Sequence, residues 1–181
     1  MKRVAFLASF VLLFAMFASA QTVYTSSQLG FSVDFPKGST VTAREPVTTT
    51  TDDKTHTYTG YRFVAQTPNG VYVVLVITLN WRTYDETLVA TPETFSAILG
   101  AEAEGARDNK GVLSQIVDCP PSVNAPACKI GLIHEGNGKF NEIDMAIIVG
   151  NRLYQVMFEG TRDPQPDLEE VQQFLASFRL Q

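Results

Sequence analysis

The only imidazoles this chain can offer to general-base or metal chemistry are His56 and His134. His56 follows Asp52 and Asp53, and His134 precedes Glu135, so each has a carboxylate close in sequence. A catalytic zinc site ordinarily takes three protein ligands, often including two histidines close together on one face. The two histidines here are far apart in the chain, and exposed polar residues at strand ends are the simpler account of both. No D-x-D-x-D-G calcium loop occurs, so no metal is expected. A G-x-S-x-G elbow and an S-x-x-K element are also missing. A Ser–His–acid arrangement can be scattered through a sequence, so a hydrolase with a dispersed site using His56 or His134 stands as the alternative to a non-catalytic protein. Without a phosphate loop or a G-x-G-x-x-G turn, no nucleotide cofactor is expected. Glu93, Glu102 and Glu104 could pair as carboxylates for glycoside hydrolysis, but a solvated helix face accounts for them.

Two further groups of residues carry chemistry of other kinds. Cys119 and Cys128 are the only cysteines. They lack the C-x-x-C spacing of a redox dithiol, and in an oxidising compartment such a pair closes as a structural bridge. The segment Asn80-Trp81-Arg82-Thr83-Tyr84-Asp85 holds the single tryptophan. Trp, Arg and Tyr are the residue types that anchor binding interfaces, so Trp81, Arg82 and Tyr84 are the candidate binding residues. Aromatic residues covering a sheet edge explain the same segment without a partner.

The compartment follows from the N-terminus. Lys2 and Arg3 precede an apolar run from Val4 to Phe17, and Ala18-Ser19-Ala20 is an A-x-A cleavage signature. Residues 1–20 therefore read as a secretory signal, with the mature domain at 21–181. The apolar run is shorter than the roughly 20 residues that span a bilayer, and no membrane insertion is expected after cleavage. With Lys2 and Arg3 removed, twelve basic residues face nineteen acidic ones, a net charge of −7. That balance disfavours nucleic acid and anionic lipid as partners. The length suits one domain with a core of its own.

These residues must be positioned mostly by strands. Phe31 to Phe35 alternates apolar and polar and stops at Pro36. Val23 to Thr25, Thr40 to Ala43 and His56 to Gln66 read as strands, and Thr67-Pro68-Asn69-Gly70 as a turn. Val71 to Leu79 is almost continuously apolar, as expected of a strand inside a sheet with both faces covered. Thr48 to Thr55 is polar, follows Pro46 and reads as an exposed loop. Val112 to Cys119, Cys128 to Glu135, Phe140 to Val149 and Arg152 to Glu159 complete the strands. Gly136-Asn137-Gly138 and Gly150-Asn151 serve as turns.

Two helices remain. Thr91-Pro92-Glu93 supplies an N-cap, a first-turn proline and an acid, followed by an apolar face of Phe95, Ile98, Leu99, Ala103 and Ala106. The second helix should start at Pro166, with Leu168, Val171, Phe174, Leu175 and Phe178 packing on the sheet. The result is an α+β domain with a mainly antiparallel sheet of about six to eight strands.

Leu29-Gly30-Phe31-Ser32-Val33-Asp34-Phe35-Pro36 and Phe174-Leu175-Ala176-Ser177-Phe178-Arg179-Leu180 resemble segments of the PsbP-like superfamily, which includes DcrB-type bacterial envelope proteins. The resemblance implies an α/β/α sandwich, with helices on both faces of the sheet. It implies no activity and supplies no functional residue, because fold does not fix function. Export, acidity and the missing catalytic motifs point to a non-catalytic module, periplasmic or secreted, that binds or helps assemble another envelope protein. A carrier for a small apolar ligand held between sheet and helix is a further alternative. The sequence fixes no oligomeric state.

Overall fold

A computed structural model describes residues 22–50, 56–81, 88–105, 111–135, 141–160 and 168–181. The signal segment, and the turn at Gly136–Gly138, lie outside the described residues.

The chain forms β1 (Thr22–Ser26), β2 (Phe31–Phe35), β3 (Val41–Ala43), β4 (Val47–Thr50), β5 (His56–Gln66), β6 (Gly70–Trp81) and α1 (Pro92–Gly105). It continues with β7 (Gly111–Asp118), β8 (Cys128–Glu135), β9 (Asn141–Val149), β10 (Arg152–Gly160), α2 (Leu168–Ser177) and β11 (Arg179–Leu180). Eight strands make one sheet in the order β3-β5-β6-β10-β9-β8-β7, with β4 also pairing β5. Every pairing in it is antiparallel. A second, three-stranded sheet runs β1-β2-β11.

Local chemistry explains most of these boundaries. The N-cap of α1 forms as its sequence requires: the Thr94 amide donates to Thr91 Oγ1 at 3.1 Å. Gly150 takes φ 59° in the two-residue turn between β9 and β10, a conformation that suits glycine. The long apolar strand β6 does sit inside the sheet, between β5 and β10. One expectation needs correction. Thr48 to Thr50 are not loop but belong to β4, paired with Thr59 to Thr57. Threonine's β-branched side chain suits an extended backbone even where no face is apolar, and all four β4 residues are exposed. Pro46 separates β3 from β4, so the border strand along β5 is split where a residue cannot donate to the ladder.

The large sheet is covered on both sides. On one face, Phe95 and Leu99 of α1 pack with Ala146, Ile148 and Leu153. On the other, Phe31, Val33 and Phe35 of β2 and Val171, Phe174, Leu175 and Phe178 of α2 meet Tyr72, Val74, Val76, Val156 and Phe158. Aromatic rings dominate this second core. Phe31 stacks on Phe178 with centroids 5.7 Å apart, and Phe174 lies 5.3 Å from Phe35 and 5.1 Å from Tyr72. Strand β2 and helix α2, far apart in sequence, thus pack on each other. Strand β11 extends the contact by pairing Leu180 with Phe31.

Cys119 follows β7 and Cys128 opens β8. They are joined as a disulfide with Cα atoms 5.7 Å apart, beside the Asp118–Lys129 cross-strand pair. Among the described residues no helix is long and apolar enough to cross a membrane.

Phe174→Ala should lower unfolding free energy by about 3–5 kcal/mol in a urea titration, because it empties the junction of α2, β2 and β6. Replacing both cysteines by serine should cost about 2–3 kcal/mol in the same titration, since the bridge closes a short loop.

Candidate functional site

The register of the large sheet builds an acidic layer beneath α1. Side chains directly opposite in an antiparallel pair share a face. Ala146 and Ile148 of β9 meet α1, so Glu142 and Asp144, in the same alternating row, point to that side as well. Glu142 stands opposite Glu159 of β10, and Asp144 opposite Gly131 of β8. Both acids are almost fully enclosed, with Glu142 at 3% and Asp144 at 0% exposure.

Gln155, one row further along β10, donates from Nε2 to Asp144 Oδ2 at 2.8 Å and, at 3.5 Å, to Glu102 Oε2 on α1. One side-chain amide therefore joins the sheet to the helix through two carboxyl groups. Glu142 Oε1 and Asp144 Oδ1 are buried and accept no hydrogen bond from a described residue. Arg62 of β5 approaches from the side, its Nη2 3.9 Å from Glu159 Oε1 and its side chain 51% exposed.

This environment favours the protonated form of the acids. Burial, followed by the charges of Glu102, Asp144 and Glu159, pushes Glu142 up to about 8, against a smaller lowering by Arg62. Burial likewise raises Asp144 to about 7; the Gln155 hydrogen bond opposes the rise and the charge of Glu102 adds to it. Glu102 is raised too, mainly by burial. A carboxyl group that keeps its proton near neutrality can donate a hydrogen bond or take part in proton transfer. Leu99 shows how closely α1 sits above this layer: a Cβ built on Gly131 would lie 3.1 Å from its Cδ2. Among the described residues, no group of three His, Cys, Asp or Glu is spaced to hold a metal ion.

The sequence-selected residues do not converge on this layer. His56 opens β5 opposite Trp81 at the far end of β6, and His134 lies near the end of β8 opposite Asn141. Three strands, β6, β10 and β9, separate β5 from β8, a lateral distance of about 19 Å. The histidines also sit at opposite ends along the strands, so they cannot share one site. His134 is half-buried rather than exposed. Asp52, Asp53, Arg82 and Tyr84 lie outside the described residues, while Trp81 is placed as the last residue of β6.

The acids need one correction. Glu93 and Glu104 are exposed, as a solvated helix face requires, but Glu102 is drawn into the sheet contact. Glu142 and Asp144 escape detection because acids at alternating strand positions ordinarily mark a solvated face. The available signal was the row's continuation into Ala146 and Ile148, which turns it apolar within one strand.

Elsewhere, a polar groove of about 640 Å³ runs between the end of β2 and α2, walled by Asp34, Lys37, Glu170, Gln173, Ser177 and Arg179. Tyr72 donates its hydroxyl to Glu170 Oε1 at 3.0 Å, and the Asp34 amide donates to Ser177 Oγ at 2.9 Å. Between α2 and the large sheet, the space an apolar ligand would need is filled by Phe31, Phe35, Phe174 and Phe178.

Fold and site together define a sheet-dominated, antiparallel α+β domain with a carboxylic layer under one helix. No family model matches the chain, and neither does any curated protein or solved structure.

Both raised acids favour the folded state in their protonated form. Their stabilising effect is complete below the ordinary carboxylate range and is lost as pH rises through about 7 and then about 8. Urea midpoints should therefore fall between pH 4 and 8.5 in the native sequence. They should fall less in a Glu142→Gln/Asp144→Asn variant, which should be the more stable protein at the alkaline end.

Proposed function

We propose that this chain is an exported, non-catalytic module of the cell envelope that binds another protein, and that the partner docks at the end of the sheet carrying Trp81. The observation that carries this reading is the border strand β4. All four of its residues are exposed, and it lies along β5 at the end where His56 faces Trp81. Strand β10 pairs β6 only as far as Thr78, so Trp81 stands three residues, about 10 Å, beyond that pairing. An uncharged Val-Thr-Thr-Thr strand suits addition of an extended partner segment by main-chain hydrogen bonds. Trp81 lies across β5 from it, at the same end of the sheet, and suits an anchoring contact, together with Arg82 and Tyr84, which lie outside the described residues.

Export is supported by the N-terminal residues and agrees with the disulfide between Cys119 and Cys128. A PsbP-like assignment rests on the resemblance of the segments Leu29 to Pro36 and Phe174 to Leu180. The separation of His56 from His134 bears only on a site that uses both, so a hydrolase using His56 or His134 stands as the alternative.

Site-directed photo-cross-linking in the native, exported protein tests the docking surface. A cross-linker at Thr49 should yield a defined adduct, and one at the exposed Gln172 of α2 should not. Trp81→Ala should weaken binding of the captured partner by at least about tenfold while leaving the melting temperature within a few degrees. Equal adducts from both positions, or a large loss of stability with unchanged binding, would remove this assignment.

A further inference from the structure

We propose that the acidic layer is a proton-gated latch for α1: the helix is seated on the sheet while the buried carboxyl groups hold their protons, and its C-terminal half lifts when they lose them. The inference is independent of the docking surface and starts from a count of charges. Glu102 comes from α1, Glu142 and Asp144 from β9, and Glu159 from β10. Among the described residues, one guanidinium stands against these four acids, that of Arg62 of β5, engaged with Glu159. Strand β8 contributes Lys129, two residues along from Gly131, but its ammonium is paired with Asp118 of β7. Gln155 of β10 is neutral, and β6 adds Val71, Val73 and Leu75 to this face, none of them charged. No other described cation faces Glu142 or Asp144.

The two enclosed acids cannot both ionise in place. Among the described residues, Glu142 Oε1 and Asp144 Oδ1 are buried and have no donor, and a buried carboxylate without compensation is costly. Each lost proton passes to solvent and leaves a negative charge facing Glu102. The sheet cannot relieve that repulsion, because β9 is hydrogen-bonded on both sides, to β8 and β10. Helix α1 can, since it meets the sheet through side chains: Leu99 over Gly131, and Glu102 through Gln155. Glu102 is carried by the moving element, so repulsion and release act along one line. Water then reaches Glu142 and Asp144, which is the state their ionised forms require.

Hydrogen exchange of the full chain, followed peptide by peptide at pH 5.5 and 8.5 and corrected for intrinsic exchange rates, tests the latch. Protection of residues 98–105 should fall by about tenfold or more at the higher pH, while the amides of β6 and β10 keep theirs. Glu142→Gln/Asp144→Asn should remove the difference by holding both groups neutral. Glu102→Gln, on the sheet-facing side of the helix, should reduce it and serves as the second variant if the first does not fold. Unchanged protection of 98–105 would overturn the proposal. A loss shared equally by helix and strands would do so too, because it would signify global destabilisation. Persistence of the full difference in Glu102→Gln would also count against it.

Discussion

Burial of β9 on both faces is the constraint on which the rest of the molecule depends. From Met145 to Ile148 every side chain is enclosed, with alternate residues going to opposite cores. A strand in that position has no solvated row on which to place a polar group. Met145 and Ile147 look toward the aromatic core shared with α2 and β2. Ala146 and Ile148 look toward α1. Whatever continues the α1 row, here Asp144 and then Glu142, must find its hydrogen bonds inside the protein or stay uncharged.

The fold would be simpler with apolar residues in that row. A buried polar group raises stability only where its partners are complete, and replacing incomplete polar clusters by well-packed apolar ones is often stabilising. The carboxyl groups of β9 are partly satisfied, by one glutamine amide, and crowded by acids of the same sign. Local rules broken in this way, in an otherwise consistent fold, are expected at functional positions rather than structural ones. The aromatic side of the sheet shows the contrast. Tyr72 and Tyr154 are buried there, and each hydroxyl has an acceptor, Glu170 Oε1 and the Leu29 carbonyl.

How much of this was legible in the sequence differed from element to element. The turn at Gly150–Asn151, the cap at Thr91 and the alternation of Phe31 to Phe35 are local features, fixed by side-chain size and backbone preference, and they stand where the residues place them. The facing of Cys119 and Cys128 followed from the strand ends they occupy. β4 was hidden because polarity suggests a loop whereas β-branching permits a strand, and only its pairing with β5 decides. The three-stranded sheet was hidden more deeply, since its third member is a two-residue strand that pairs with β2 across almost the whole chain. The acidic layer could not be read because alternation gives a strand's two rows without saying which of them a helix will cover. Trp81 was recognisable by residue type, yet its position at the tip of β6 emerges only from the unequal lengths of β6 and β10.

The closure of β2 by β11 bears on the order of events during synthesis. Phe31 and Val33 precede their cover by well over a hundred residues, since it comes with α2 and β11, and the Gln181 amide donates to the Gly30 carbonyl. A chain under synthesis therefore carries an exposed aromatic strand until residues 168–181 have been made. Contacts so distant in sequence make assembly slow and leave that strand open to wrong pairings meanwhile. Loss of even a short C-terminal stretch would leave a permanently uncapped, sticky edge on a domain whose other strands could still pair.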